Sequence, residues 1–123
     1  MAWLTYPPLA DTLAVVLEFR ETAIFTRDVI SLLTDEEYAE LQGVLIVQPD
    51  AGDVIPGTGG LRKLRWSQKR RGKGKRGGVR VIYYWYVSGS LIYMLLAYSK
   101  DEQDDLTTAE KRLLARLVAE EFK

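Results

Sequence analysis

Two stretches rich in β-branched and aromatic residues, 79–87 (VRVIYYWYV) and 91–98 (LIYMLLAY), lie almost end to end. Such side chains suit the pleated, half-buried surface of a sheet. Ser88-Gly89 between them fits a tight turn, so the pair predicts an antiparallel hairpin. A hairpin this apolar needs cover on its faces, and the periodicity of the remaining chain indicates what supplies it.

Leu17-Glu18-Phe19-Arg20 reads as a short strand. Residues 23–33 then place apolar side chains at 24, 25, 29, 30, 32 and 33, close to helical spacing. Thr34-Asp35-Glu36-Glu37 has the form of a capping box, in which the Thr hydroxyl and the Glu three residues on satisfy orphan amides. A second helix is therefore expected to about Val47, ending before Pro49, with an apolar face of Tyr38, Leu41, Val44 and Leu45. Residues 50–60 (DAGDVIPGTGG) form a loop by composition, and residues 61–66 alternate as a strand. Residues 67–78 (SQKRRGKGKRGG) contain no apolar side chain and predict a solvated hairpin tip. A second capping box, Thr107-Thr108-Ala109-Glu110, opens a last helix with a stripe of Leu113, Leu114, Leu117, Val118 and Phe122.

The order is strand, two helices, three antiparallel strands and a helix. It predicts an α+β domain: a small antiparallel sheet with two N-terminal helices packed on one face, and a C-terminal helix. The chain of 123 residues suffices for one such domain, expected over 17–123. Residues 1–16 are mildly apolar but broken by Pro7-Pro8 and Asp11, and no basic region opens them. They are read as an N-terminal tail or an added segment and not as a signal peptide. No apolar run reaches the roughly 18 residues of a membrane span, so no membrane association and a cytoplasmic location are expected.

Histidine and cysteine are both absent. That removes disulfides, thiolate metal sites, the commonest zinc and iron ligands, and every histidine-based triad or acid/base pair. Neither a metal nor another cofactor is expected. Acid/base chemistry must come from Lys, Arg, Tyr or carboxylates. The formal net charge of zero conceals a segregation, because residues 61–80 carry ten basic and no acidic side chains while residues 1–60 carry two basic and ten acidic.

That basic block is the strongest functional signal, and phosphate is its commonest biological complement. On a strand, Lys63 and Arg65 share one face while Leu64 and Trp66 share the other. Arg80 is a lone charge in an apolar run, costly unless it faces a cleft, and Lys100 follows the last strand. Consecutive antiparallel pairing can bring these four together; ordinary edge charges are the alternative. Such a cluster permits RNA cleavage without histidine. A lysine flanked by cations can take the proton of a ribose 2′-hydroxyl, and arginine forks can hold the phosphate through its charged transition state.

Other features point to blander roles. Gly57-Thr58-Gly59-Gly60 lacks the ending of a phosphate-binding loop and reads as a hinge. Asp101, Glu102, Asp104 and Asp105 can hold a divalent cation in principle, but helix-start carboxylates are the preferred reading. Of Tyr83, Tyr84, Trp85 and Tyr86, alternate members must fill the core, leaving at most half to stack on bases.

Three segments together, residues 53–63 (DVIPGTGGLRK), 72–84 (GKGKRGGVRVIYY) and 98–102 (YSKDE), resemble the HigB-like branch of the RelE/ParE toxin superfamily. The likeness runs from about Phe19 to the C-terminus. It implies a RelE-like sheet and the toxin of a type II toxin–antitoxin module, an endoribonuclease that cuts messenger RNA on the 70S ribosome and so inhibits translation. It further implies a cognate antitoxin protein as partner, with operator DNA reached indirectly through the antitoxin. By position, the cleavage-site residues of RelE toxins match Lys63, Arg65, Arg80 and Lys100. Arg62, Lys69, Arg70, Arg71, Lys73, Lys75 and Arg76 are then expected to contact RNA or ribosome. The chain departs from the pattern where Arg65 replaces a lysine, and where Asp101 and Thr107 stand at the places of an arginine and a tyrosine. A gyrase-poisoning ParE-like toxin and a non-catalytic RNA- or DNA-binding relative are the alternatives.

Overall fold

A computed structural model describes residues 17–68 and 78–122. The expected N-terminal tail and residues 69–77 of the basic hairpin lie outside the described residues, and so does Lys123.

The chain runs β1 (Glu18–Glu21), α1 (Ala23–Leu32), α2 (Asp35–Val47), β2 (Asp53–Val54), β3 (Arg62–Trp66), β4 (Val79–Tyr86), β5 (Leu91–Ser99) and α3 (Thr108–Glu121). Both expected capping boxes are present. Thr34 accepts from the Glu37 amide while Glu37 accepts from the Thr34 amide, and Thr107 and Glu110 do the same at α3. A third cap, Thr22, starts α1: its hydroxyl accepts from the Phe25 amide and donates to the Leu95 carbonyl, fixing the helix to the sheet.

The strands form one sheet in the order β1-β5-β4-β3-β2. Three of its ladders are antiparallel, as expected. β1 departs from the pattern and joins β5 in parallel, Glu18 opposite Leu91 and Glu21 opposite Met94. α1 and α2 make that possible, since parallel neighbours need a long connection. The two-residue β2 falls inside the stretch expected as loop, with Asp53 opposite Lys63. The β4–β5 turn is a 3₁₀ turn at Val87–Gly89 closed by Ser90 in a left-handed conformation, longer than the two-residue turn expected.

Two cores lie on opposite faces, as strand alternation dictates. α1 and α2 bury Phe25, Val29, Leu41 and Leu45 against Leu64, Val79, Val81, Tyr83, Ile92 and Met94. The other face holds Ile82, Leu95, Tyr98, Leu106 and Val118, with Leu114, Leu117 and Phe122 of α3 packed against them. The C-terminal helix thus covers the face that α1 and α2 leave open. Leu113 does not join its stripe and is 61% exposed. A bulge in β5, where Ile82 pairs with Leu96 and Tyr83 with Met94, leaves Leu95 as the extra residue.

The expected solvated tip begins later than its composition implied. Gln68 is only 2% exposed, because its side-chain amide donates to the Leu32 carbonyl at the end of α1. Polarity alone does not expose a side chain when a helix terminus offers it an orphan acceptor.

A candidate phosphate-binding site

The second face of the sheet, beside α3, carries the cations. Arg65 and Arg80 are direct cross-strand partners on β3 and β4, and Lys63 lies two residues along on the same face. Lys100 is brought beside them where the chain leaves β5, its amide bonded to the Gly78 carbonyl at 3.0 Å. Lys63, Arg65, Arg80 and Lys100 line one cavity of about 630 Å³, together with Asp104 and Asp105. The convergence expected from strand alternation is therefore present.

The loop before β3 is tied to the sheet from its other face. The Tyr83 hydroxyl donates to the Pro49 carbonyl at 2.6 Å and accepts from the Gly52 amide at 2.9 Å. Gly52 approaches so closely that a Cβ there would come within 2.8 Å of the Tyr83 ring and 3.0 Å of the Lys63 carbonyl. Beyond it, Asp53 reaches diagonally from β2 to Arg65, 3.0 Å away. Thr58 is buried, its hydroxyl donating to the Ile55 carbonyl and accepting from the Leu61 amide, so residues 57–60 form a hydrogen-bonded turn.

Arg80 is 4% exposed. Burial, and then the charge of Arg65, push its guanidinium below its ordinary value. Lys63 is also less open than a strand-face lysine suggests, its side chain 19% exposed and its ammonium 3.4 Å from Asp105. Lys100 pairs with Asp104, four residues on, at 2.5 Å. Asp104 is held below the usual carboxylate range by that hydrogen bond. For Asp105 burial pushes upward, but the Leu106 amide and Lys63 outweigh it and hold the carboxyl low.

These pairings correct the helix-start reading of the acidic residues. α3 begins at Thr108, and Asp104 and Asp105 instead turn back onto the site cations. Among the described residues, no group of acidic side chains is arranged to hold a metal ion. Asp104 and Asp105 were singled out in the sequence for other roles, and Asp53, which pairs with Arg65 beside the cavity, was not singled out at all. The i,i+4 spacing of Lys100 and Asp104 was the available signal of their pairing. Tyr98, opposite Arg80 across the ladder, was missed too; its hydroxyl is buried with no hydrogen-bond partner among the described residues. Burial first, and then the Asp105 charge, push that phenol up to about 12.

The remaining candidates divide. Arg62 lies on the opposite strand face, where its guanidinium donates to the Gly52 carbonyl at 2.8 Å and ties down the loop. Lys69, Arg70, Arg71, Lys73, Lys75 and Arg76 lie outside the described residues. The aromatic quartet is spent on packing. Tyr83 is buried, and Tyr84 and Tyr86 stack on Phe122 with ring centroids 5.4 and 4.5 Å away.

No family model matches the sequence. In three dimensions the chain is similar to the E. coli toxin RelE, solved in the free state as a double arginine-to-alanine mutant. The TM-score is 0.52 over 72% of this chain and 87% of that one, with 9% identity. The fold is RelE-like. At that identity the likeness concerns architecture alone, an α+β domain with a mostly antiparallel five-stranded sheet. Within this RelE-like frame, the cation cavity occupies the sheet face beside the C-terminal helix. No helix among the described residues is long and apolar enough to cross a membrane.

Proposed function

We propose that the domain spanning residues 17–123 is the toxin of a type II toxin–antitoxin module, of the HigB-like branch, and that it cuts messenger RNA on the ribosome. The observation that carries this reading is the convergence of Lys63, Arg65, Arg80 and Lys100 on one cavity of a RelE-like fold. The three motif segments of the sequence support the finer placement.

In the proposed reaction Lys63 accepts the proton of a ribose 2′-hydroxyl. The freed oxygen attacks the adjacent 3′-phosphorus. Arg65 and Arg80 hold the non-bridging oxygens as negative charge builds on the phosphorane; planar forks are suited to this and stay charged. The bond from phosphorus to the 5′-oxygen then breaks, and Lys100 gives that oxygen a proton. The products are a 2′,3′-cyclic phosphate and a 5′-hydroxyl, with no metal or cofactor consumed. The basic stretch from Lys69 to Arg76 docks ribosomal RNA, which confines the activity to the cytoplasm. A cognate antitoxin covers the site and links the complex to operator DNA.

Primer extension on a defined messenger, in a reconstituted bacterial translation system with and without ribosomes, tests the proposal. Cuts that need ribosomes are the expected result. No cuts in either condition would overturn the nuclease reading and direct attention to DNA gyrase, the target of ParE-like relatives, or to a binding role alone.

A further inference from the structure

The cavity carries its own counterions. Asp105 sits on Lys63, Asp104 on Lys100 and, from the far side, Asp53 on Arg65. The lining side chains are four cations and two carboxylates, a formal charge of +2 where the cations alone would give +4.

The fold fixes this arrangement. The connection from β5 to α3 is pinned at its start by the Glu102 and Gln103 amides on the Ser99 carbonyl, and at its end by Leu106, which is buried in the second core. Between them, the Gln103 side chain donates to the Asp105 carbonyl at 3.0 Å and to Glu110 at 2.8 Å. Asp105 is held further by the Leu106 amide, which donates to its Oδ1 at 2.8 Å. With its backbone so tied, the connection turns both carboxylates toward the cations while leaving Asp104 88% exposed, free to withdraw into water.

We propose that Asp104 and Asp105 are specificity-determining residues: they take the positions on the site cations that phosphates would take, and RNA must displace them to enter. A carboxylate and a phosphodiester offer the same cations the same kind of charge-assisted hydrogen bond. An incoming phosphate therefore gains only the difference between the two partners. A free strand, offering one loosely placed phosphate at a time, competes poorly. A strand held against the cavity, with several phosphates presented together, displaces the carboxylates collectively. This deepens the ribonuclease reading and rests on it for the identity of the polyanion and for the surface that holds the strand.

The test separates binding from cleavage. Affinity for a 2′-O-methyl oligoribonucleotide, which has no 2′-hydroxyl to attack, is measured across a salt series for the full chain and for Asp104→Asn/Asp105→Asn. Asparagine keeps the acceptor for the Leu106 amide, and Asp104→Asn alone provides a variant at an exposed position. Glu120→Gln/Glu121→Gln, at the far end of α3, removes the same charge elsewhere. The site double variant is expected to bind roughly tenfold tighter, with a salt dependence steeper by about 0.7 for each carboxylate removed. The α3 control should stay within about twofold of the parent chain. Equal affinities, equal tightening in the control, or no binding by any of the proteins would overturn the proposal. Failure of the ribonuclease reading looks different: tightening at the site with no cuts on ribosomes.

Discussion

Arg65 and Arg80 are directly opposite each other on neighbouring antiparallel strands, two like charges on one face of the sheet. Like charges directly opposite each other on neighbouring strands are destabilising. Asp53 on Arg65 offsets part of this. Replacing Arg65 by Gln should therefore change stability by less than about 1 kcal/mol, since an exposed pair is lost as a repulsion is relieved. Cleavage on ribosomes should nonetheless fall by about 10²–10³-fold, the loss typical of one transition-state donor. Urea melts beside primer extension measure both.

Lys63 can serve as a base or merely as a charge, and arginine separates the roles. Arginine keeps the cation but does not give up its proton at accessible pH. If Lys63 is the base, Lys63→Arg should lose about as much cleavage as Lys63→Ala, about 10²–10⁴-fold. Substantial activity in the arginine variant would reassign the residue to phosphate binding. Single-turnover cleavage rates on programmed ribosomes decide between them.

The Tyr83 hydroxyl joins the sheet to the loop that carries Asp53. Tyr83→Phe would leave the Gly52 amide and Pro49 carbonyl without that partner in a tightly packed place. A loss of about 1–3 kcal/mol is expected from chemical denaturation. Hydrogen exchange at Gly52 should quicken in the same variant.

Tyr98 should behave in the opposite way. Its hydroxyl is buried without a partner among the described residues, so Tyr98→Phe should leave the melting temperature unchanged or raise it. The sign of the pH effect follows from the same burial. A phenol whose folded value lies near 12, above its ordinary 10.0, contributes stability fully present below pH 10 and lost as pH rises toward 12. Tyr38 and Tyr83 are shifted upward as well, chiefly by burial. Phenolate absorbance should therefore show Tyr98, Tyr38 and Tyr83 ionising only with alkaline unfolding, and Tyr98→Phe should soften the alkaline loss of stability.

Much of the fold was legible because its signals are local. Period-two and helical spacing located β4, β5 and the helices, and Thr34-Glu37 and Thr107-Glu110 announced two helix starts. The cap at Thr22 went unseen because no Glu or Gln follows three residues later. The parallel pairing of β1 was not legible, since it depends on where α1 and α2 deliver the chain. Of the site, Lys63 and Arg65 could be read from strand phase, Arg80 as a lone charge in an apolar run, and Lys100 from its place just after β5. Asp105 could not, because its partner Lys63 is 42 residues away and only the turn before α3 aims one at the other.

The parallel ladder also sets an order of events during synthesis. β1 is made first, yet the strand it pairs with is Leu91–Ser99, and Lys100 follows later still. A nascent chain lacking residues 91–100 has no edge for β1 to join, and three of the four cavity cations without the fourth. Pairings between such distant segments are also slow to form once available. The growing polypeptide is thus without its assembled cavity until residue 100 has left the ribosome, long after β1, α1 and α2 have been made.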